Sequence, residues 1–405
     1  MKYSIITFGC QMNISDSQRI ASLFEKEKYR KTKDITKADL VIINMCSVRQ
    51  SAVTRVYGLV PKLREIKGKS ILTGCFLKKD QKKLEELFDF VIKPSQFPEF
   101  LKSKSEFLNI EPAYSSFPIG YIPIMTGCNN FCTYCVVPYT RGREYSRSVE
   151  EIVKEAKNLI KKGYKEIWLL GQNVNSYFDK KERNFPSLLK TVNNLKGDFW
   201  LKFTSSHPKD FTKELIEAMK NSKKVSKYLN LPLQSGNDKI LKKMNRPYTF
   251  SQYEKTVQMI KKEIKDISLS TDIIVGFPSE TKKQFQDTAD ALKKIKFEMA
   301  YISRYSERPG TKAAELKDNV SLKEKKRREE ILNEIIKKNS FIKNKKYLNK
   351  EVTVLINSIR NGLYLGKTED YKTVKIESLK KDLIGKFIKV KIIKSMPWGL
   401  IGKIK

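Results

Sequence analysis

Histidine and cysteine are both scarce in this chain of 405 residues, which has one histidine and six cysteines. No apolar run approaches the roughly 18 residues that a membrane-spanning helix needs. The N-terminus, MKYSIITFGCQMN, turns polar after a few apolar residues and does not resemble a signal peptide. We therefore expect a cytoplasmic protein that is not associated with a membrane. In that reducing compartment, closely spaced cysteines indicate metal or redox chemistry rather than structural disulfides.

Acidic residues are few beside the basic ones, 45 against 81, which gives a formal net charge of +36. Such an excess of lysine and arginine favours a polyanionic partner, because cationic side chains bind nucleic-acid phosphates. The alternative is an A+T-rich genome, which enriches lysine codons without any bearing on function.

The length and the patterning predict an α/β protein of three domains. Residues 1–112 alternate apolar runs with helical stretches, a βαβ rhythm that predicts a parallel sheet. Residues 119–335 repeat this alternation with six strand candidates, which predicts a partial (βα) barrel. The carboxyl ends of its strands would carry the chemistry.

The third domain, residues 341–405, follows a charged helix predicted within residues 321–350. Its apolar and polar residues alternate in short runs, which predicts a small antiparallel β-barrel. In GKFIKVKIIK, Lys389 and Lys391 share the outward face, so they are candidate RNA-binding residues. A capping domain without any role in RNA binding is the alternative.

Three cysteines lie together in GCNNFCTYC, and we call Cys128, Cys132 and Cys135 the loop triad. Thiolates bind soft metals, and four of them would complete a zinc site or an iron–sulfur cluster. A zinc site here would have to recruit the distant His207. Three cysteines on a four-iron cluster would instead leave one iron open to a small molecule.

The other three cysteines each end an apolar, strand-like run, and we call Cys10, Cys46 and Cys75 the N-terminal triad. The carboxyl ends of parallel strands lie along one edge of a sheet, so these thiols can converge despite their separation. Three buried cysteines that behave as small hydrophobic residues are the alternative. Together the triads use all six thiols, and we predict two clusters.

C-x3-C-x2-C with an aromatic residue before the last cysteine resembles the signature of radical S-adenosylmethionine enzymes. The motifs TFGCQMN, NMCSVRQSAVTRVYG, GCNNFCTYCVVPYTRGRE, LLGQNVNSY, LPLQSG and TDIIVGFPSET follow in the order seen in the methylthiotransferase family. The tail, with LGKTEDYKTVKIES, resembles that family's TRAM domain. Essentially the whole chain takes part in the resemblance.

The resemblance implies two 4Fe–4S clusters and S-adenosylmethionine, the cofactor binding at the open iron of the loop-triad cluster. The N-terminal triad would hold an auxiliary cluster that supplies or carries sulfur. The reaction would attach a methylthio group to carbon 2 of the N6-isopentenyladenosine that lies beside the anticodon of tRNA. The expected partners are the tRNA anticodon stem-loop and a low-potential electron donor of the flavodoxin or ferredoxin type, and we expect a monomer.

Cofactor-binding positions implied by the resemblance are Tyr134, Gln172, Asn173 and Asp272. LLGQN is equally compatible with an ordinary strand-to-loop turn, and the catalytic role of His207 in the SHP element is a weaker expectation.

Arg141 and Arg143 are candidate RNA contacts, or else lie on a solvated face. The sequence has FPSE where the family more often has FPGE. Ser279 must therefore adopt the backbone conformation that the glycine would have at this position.

Rival functions share part of this chemistry. Related branches of the family modify threonylcarbamoyl-adenosine in tRNA or an aspartate of a ribosomal protein. A rival of another class is a non-catalytic, metal-containing RNA-binding module.

Overall fold

The structure is a computed structural model that describes residues 1–48 and 50–404. In chain order, it consists of a parallel sheet, an open barrel and a small closed barrel. Among the described residues, no helix combines the length and the apolar character required to cross a bilayer.

The N-terminal sheet has five parallel strands in the order β2-β1-β3-β4-β5. The predicted parallel sheet is therefore confirmed. Its strands are β1 (Lys2–Phe8), β2 (Arg30–Lys31), β3 (Leu40–Cys46), β4 (Lys69–Cys75) and β5 (Phe90–Val91). The helices are α1 (Gln11–Lys26), α2 (Gln50–Arg64), α3 (Gln81–Glu85) and α4 (Phe97–Phe100). Every residue of β3 is buried because apolar clusters cover both faces of the sheet.

The central region contains eight strands and seven helices. The strands are β6 (Ile119–Pro123), β7 (Met125–Thr126), β8 (Tyr145–Ser146), β9 (Glu166–Leu170), β10 (Trp200–Phe203), β11 (Tyr228–Asn230), β12 (Ser268–Val275) and β13 (Met299–Arg304). The helices are α5 (Val137–Arg141), α6 (Val149–Lys161), α7 (Phe185–Asn193), α8 (Lys213–Lys220), α9 (Asp238–Lys243), α10 (Phe250–Glu263) and α11 (Lys282–Ile295).

Six of these strands lie side by side in chain order, as β6-β9-β10 and β11-β12-β13, all parallel. A parallel bridge between Leu201 and Val225 joins the two halves at β10. The six strand candidates of the sequence therefore form the expected open (βα) barrel, and the largest apolar core lies between the barrel and its helices.

The C-terminal barrel follows the long helix α12 (Leu322–Lys345) and closes in the order β14-β15-β16-β18-β17. Its strands are β14 (Glu351–Arg360), β15 (Leu363–Thr368), β16 (Thr373–Glu377), β17 (Phe387–Met396) and β18 (Gly399–Ile404). All pairings are antiparallel except that of β16 with β18. A closed ring with an odd number of strands cannot alternate direction throughout, so one parallel pair is unavoidable.

Buried polar contacts hold the N-terminal domain on the open barrel. Arg19 of α1 donates two hydrogen bonds to Glu155 of α6, at 2.7 and 2.8 Å. Arg147 donates to the same carboxylate at 2.7 Å, and all three side chains are at most 7% exposed.

The C-terminal barrel is anchored by an aromatic residue of its β15–β16 loop. The ring of Tyr371 lies 4.6 Å from that of Tyr228 and 5.4 Å from that of Trp168, between centroids. The Nζ of the buried Lys202 lies 4.6 Å from the Tyr371 ring. These residues belong to β9, β10 and β11, so the two barrels contact each other through an aromatic, cation-bearing interface.

Candidate active site

The N-terminal triad forms where the strands of the first sheet end. Cys46 and Cys75 are register partners at the last positions of β3 and β4. Partners directly opposite each other in adjacent strands point to the same face of the sheet. Cys10 follows β1 and is the N-cap of α1, and its Sγ lies 3.4 Å from Asn13 Oδ1. Asn13 in turn donates to Asn44 of β3 at 2.8 Å, which holds the start of α1 against the strand.

Gly74 allows β4 to end at this point. Its φ is +104°, a region that disfavours side chains, and a Cβ there would lie 2.3 Å from the carbonyl oxygen of Met45. The G-C sequence at the end of β4 is therefore a steric requirement of the close approach between β3 and β4.

Burial raises the pKa of the Cys75 thiol to about 12. The nearby Arg141 cation opposes this shift, and the charges of Cys46 and Cys10 reinforce it. Cys75 thus lies within electrostatic range of both Cys46 and Cys10, and the role of this triad as a cluster site stays a prediction.

The loop triad lies beyond the carboxyl ends of β6 and β7. Gly127 has a φ of +80°, and a Cβ there would lie 2.0 Å from the carbonyl oxygen of Arg143, so only glycine fits. Burial raises the pKa of Cys128 and raises that of Cys135 to about 12. The Cys135 pKa also responds to the charges of Cys132 and Cys128, which places the three thiols together.

A segment after α9 clamps the loop triad, which the sequence motifs had not indicated. Thr133 N–H donates to the Met244 carbonyl at 3.1 Å, and Asn245 Nδ2 donates to the Phe131 carbonyl at 3.1 Å. The buried Arg246 donates to Cys132 Sγ at 3.4 Å and to Tyr248 at 2.8 Å. The stretch MNRPY showed no metal-ligand spacing or periodicity that could have identified Arg246.

Neither triad resembles a site for a single metal ion. In the part of the chain that the structure describes, no group of three or more His, Cys, Asp or Glu side chains could hold one. A zinc site would bring its thiolates to about 2.3 Å from one centre. Cysteine thiolates are the usual ligands of iron–sulfur clusters, so the three cysteines at each place fit the donor chemistry of such a group.

Polar atoms without a protein partner collect at the carboxyl edge of β9 and β10. Within the described residues, five buried atoms here lack a hydrogen-bond partner: Gln172 Oε1, Asn173 Oδ1, Asn175 Oδ1, Ser206 Oγ and His207 Nε2. The Val174 N–H donates to the Ser205 carbonyl at 3.3 Å, which joins the two loops. Because buried polar atoms are rarely left unpaired, this edge indicates a polar ligand.

His207 is held as a neutral imidazole. Its Nδ1 accepts from the Lys209 N–H at 3.2 Å, and its ring lies edge-on to Tyr248 at 5.9 Å. Burial lowers its pKa to about 2, and the Arg246 and Lys209 charges act in the same direction. Because Nδ1 accepts a hydrogen bond, the neutral ring carries its proton on Nε2, which can donate to a ligand, and the side chain carries no positive charge near neutral pH.

The other predicted cofactor positions lie farther round the same edge. Asp272 of β12 accepts from Asn230 Nδ2 at 3.0 Å. Tyr134 packs against a small core that includes Met244, Phe277 and Tyr305. The cofactor roles of Asp272 and Tyr134 stay predictions.

Ser279 has a φ of +64°, so this position does require the left-handed geometry that glycine usually serves. Its N–H donates to Asn319 Oδ1 at 2.9 Å, which holds the strained turn in place.

The two arginines beside the loop triad have different surroundings. Arg143 is exposed, with its guanidinium 4.5 Å from the Phe131 ring, and remains a candidate RNA contact. Arg141 instead donates to Asp16 at 2.7 Å and to Cys75 Sγ at 3.1 Å, with its side chain 11% exposed. These contacts favour a role inside the site over the RNA contact predicted from the sequence.

Lys389 and Lys391 are exposed on β17, while Val390 and Ile392 between and after them are fully buried. Lys391 pairs in register with the exposed Lys403 of β18, which widens the basic face.

Three family models match successive parts of the chain. The description "Uncharacterized protein family UPF0004" matches residues 2–92, the radical SAM superfamily matches residues 122–292, and the TRAM domain matches residues 345–405. The matches fall on the N-terminal sheet, the open barrel and the closed barrel respectively.

Relatives along the full length identify the family. A protein of Fusobacterium nucleatum subsp. nucleatum is 40% identical, with 100% of this chain and 99% of the relative covered. One from Clostridium botulinum is 41% identical, with 99% and 96% covered. Both are named tRNA-2-methylthio-N(6)-dimethylallyladenosine synthase. The chain belongs to this synthase family.

Solved structures resemble this chain in fold alone. The radical S-adenosylmethionine methyltransferase TsrM from Kitasatospora setae gives a TM-score of 0.55 at 14% identity, covering 75% of this chain and 72% of its own. The cobalamin-dependent radical enzyme OxsB gives 0.53 at 11% identity, covering 83% and 56%.

Proposed function

We propose that the protein is a radical S-adenosylmethionine tRNA methylthiotransferase. It attaches a methylthio group to carbon 2 of N6-isopentenyladenosine beside the anticodon. The observation that carries this proposal is the identity of about 40% to the synthases, which extends over essentially the whole chain. The reaction needs cofactors because a ring C–H offers no acidic proton to a general base.

The loop triad would hold a 4Fe–4S cluster with one iron left for S-adenosylmethionine. When bound, this pair supplies the electron and the radical that abstracts hydrogen from the adenine. The unpaired atoms of Gln172, Asn173, Ser206 and His207 would receive the polar groups of S-adenosylmethionine. Arg246 would keep the cluster loop in place through Cys132.

The N-terminal triad would hold the auxiliary cluster as the source or carrier of sulfur. The contacts of Arg141 support a shared site, because this central-domain residue reaches Cys75 of the first sheet. The two triads therefore serve one reaction space between the domains.

The tRNA anticodon stem-loop would dock on the C-terminal barrel through phosphate contacts of Lys389, Lys391 and Lys403. Exposed lysines and buried apolar residues alternate along β17, and this pattern supports the assignment. A low-potential donor of the flavodoxin or ferredoxin type would reduce the loop-triad cluster. We propose that the enzyme acts as a monomer in the cytoplasm, where its tRNA substrate is found.

Substrate choice follows from the apolar prenyl group. Burying its five carbons yields about 2–4 kcal/mol at about 0.8 kcal/mol per CH2. That energy separates prenylated from plain adenosine by roughly 30- to 1,000-fold. A pocket for threonylcarbamoyl would instead present polar partners that a prenyl chain leaves unpaired.

The test has two parts. Anaerobic reconstitution should give about eight irons per chain, as two four-iron clusters require, with cleavage of S-adenosylmethionine. Stem-loops with plain, prenylated or threonylcarbamoylated adenosine are then compared by mass spectrometry, and the methylthio product should form on the prenylated one. One zinc and no cleavage would identify a binding module, and product on the threonylcarbamoyl substrate alone would refute the proposed substrate.

A further inference from the structure

One arginine connects the two triads across the domain boundary. Arg141 ends α5, the short helix that follows Cys135 of the loop triad. Its side chain reaches the N-terminal domain, where Nε donates to Cys75 Sγ at 3.1 Å and Nη2 donates to Asp16 at 2.7 Å.

Burial makes this contact electrostatically strong. The side chains of Arg141 and Asp16 are 11% and 2% exposed, and Cys75 is buried. Water and salt screen charges poorly in such surroundings. The interaction of Arg141 with a group on the N-terminal triad is therefore large compared with that of an exposed cation.

Asp16 fixes the orientation of the guanidinium. Asp16 lies on α1, the helix that begins after Cys10. Because Arg141 contacts both Asp16 and Cys75, the ion pair fixes the position of α1 relative to the Cys75 sulfur. Arg308, also from the central domain, donates to Gln50 at 2.5 Å and interacts electrostatically with Cys46, but it is only half-buried. Arg141, by contrast, donates a hydrogen bond directly to a sulfur of the N-terminal triad.

We propose that Arg141 is a positioning residue that raises the reduction potential of the auxiliary cluster on the N-terminal triad. Hydrogen bonds to sulfur and nearby positive charge both stabilise the reduced, more negative cluster. The inference rests on the proposed function, since it requires a cluster at this triad. It also makes the auxiliary potential depend on the docking of the central domain, because the cation comes from α5.

The test measures a potential rather than activity. All three loop-triad cysteines are changed to alanine, so that only the auxiliary cluster can assemble, and its midpoint is determined by a redox titration followed by electron paramagnetic resonance. Arg141→Gln should lower the midpoint because the cation is lost and Asp16 is left unpaired. Asp16→Asn should raise the midpoint because a negative charge is removed while Arg141 stays.

Two further variants separate charge from damage to the fold. Arg141→Lys keeps the charge, so its midpoint should lie closer to that of the parent than the Arg141→Gln midpoint does. Arg183→Gln is the matched control, because Arg183 also pairs with a buried carboxylate, Asp179, but contacts neither triad through its ion pairs. Its midpoint should equal that of the parent. If Arg141→Gln does not fold around the unpaired Asp16, the double variant Arg141→Gln/Asp16→Asn is compared with Asp16→Asn, and its midpoint should be the lower of the two because only the cation differs.

Each outcome has a distinct meaning. A midpoint that does not fall in Arg141→Gln, or that falls as much in Arg183→Gln, refutes the role of Arg141 and leaves the proposed function standing. If no cluster assembles on the N-terminal triad when Arg141 is intact, the auxiliary centre is refuted, and this inference fails with it.

Discussion

Glu155 is the acidic residue on which the docking of the first domain depends. Its carboxylate accepts hydrogen bonds from Arg19 of α1 and from Arg147 of the central domain, each at 2.8 Å or less. The exposed fractions of these side chains are 7%, 0% and 3%. A change to glutamine keeps the shape but removes the negative charge and turns an NH2 group toward one guanidinium.

The expected cost follows from leaving two buried cations without a counter-ion. Breaking a buried ion pair from one side costs about 3–5 kcal/mol. At about 2–4 °C per kcal/mol for a domain of this size, Tm should fall by about 6–20 °C. The loss is large because Arg19 cannot reach water without moving α1 away from the barrel.

The assay is thermal unfolding of Glu155→Gln beside Glu150→Gln. Glu150 also holds two cations, Arg183 and Lys181, but is 53% exposed, so its neutralisation should change Tm little. Equal Tm values for the two variants would refute the claim that burial gives Glu155 its importance.

Three further predictions concern function and pH. Changing any loop-triad cysteine to alanine should abolish cleavage of S-adenosylmethionine, whereas the same change in the N-terminal triad should spare cleavage but stop methylthiolation; normal cleavage in Cys132→Ala would contradict the assignment. Replacing Lys389, Lys391 and Lys403 with alanine should weaken tRNA binding and reduce the slope of log affinity against log salt by about 2–3, at about 0.7–0.9 per phosphate contact; an unchanged slope would exclude this face. Because the pKa of His207 falls to about 2 on folding, only the unfolded state gains its proton below about pH 6.5. Stability is then lost as pH falls from that value, by roughly 1.4 kcal/mol per unit. His207→Asn should reduce this slope in urea unfolding at pH 7 and pH 5.5, and an identical slope would show that the histidine is not buried neutral.

Local patterns in the sequence were sufficient for the longer parallel strands, but they did not predict β2, β5, β8 or β18. Apolar runs ending in cysteine became β3 and β4, and the alternation in GKFIKVKIIK became a strand with Lys389 and Lys391 outside and Val390 inside. Ser279 also has the positive φ that the glycine of the family motif would adopt. These features depend on the period of the strand or on one φ angle, which neighbouring residues reveal.

The sequence by itself therefore determined the family, the α/β and β-barrel architecture, and the six cysteines to which we assign the clusters. Only the tertiary structure decided that Arg141 lies against Cys75 rather than on an RNA-facing surface, and that Arg246 supports Cys132. It also decided that Tyr371 joins the two barrels. Each of these contacts joins residues far apart in the chain, and their geometry depends on how whole domains pack, which no local period or spacing encodes.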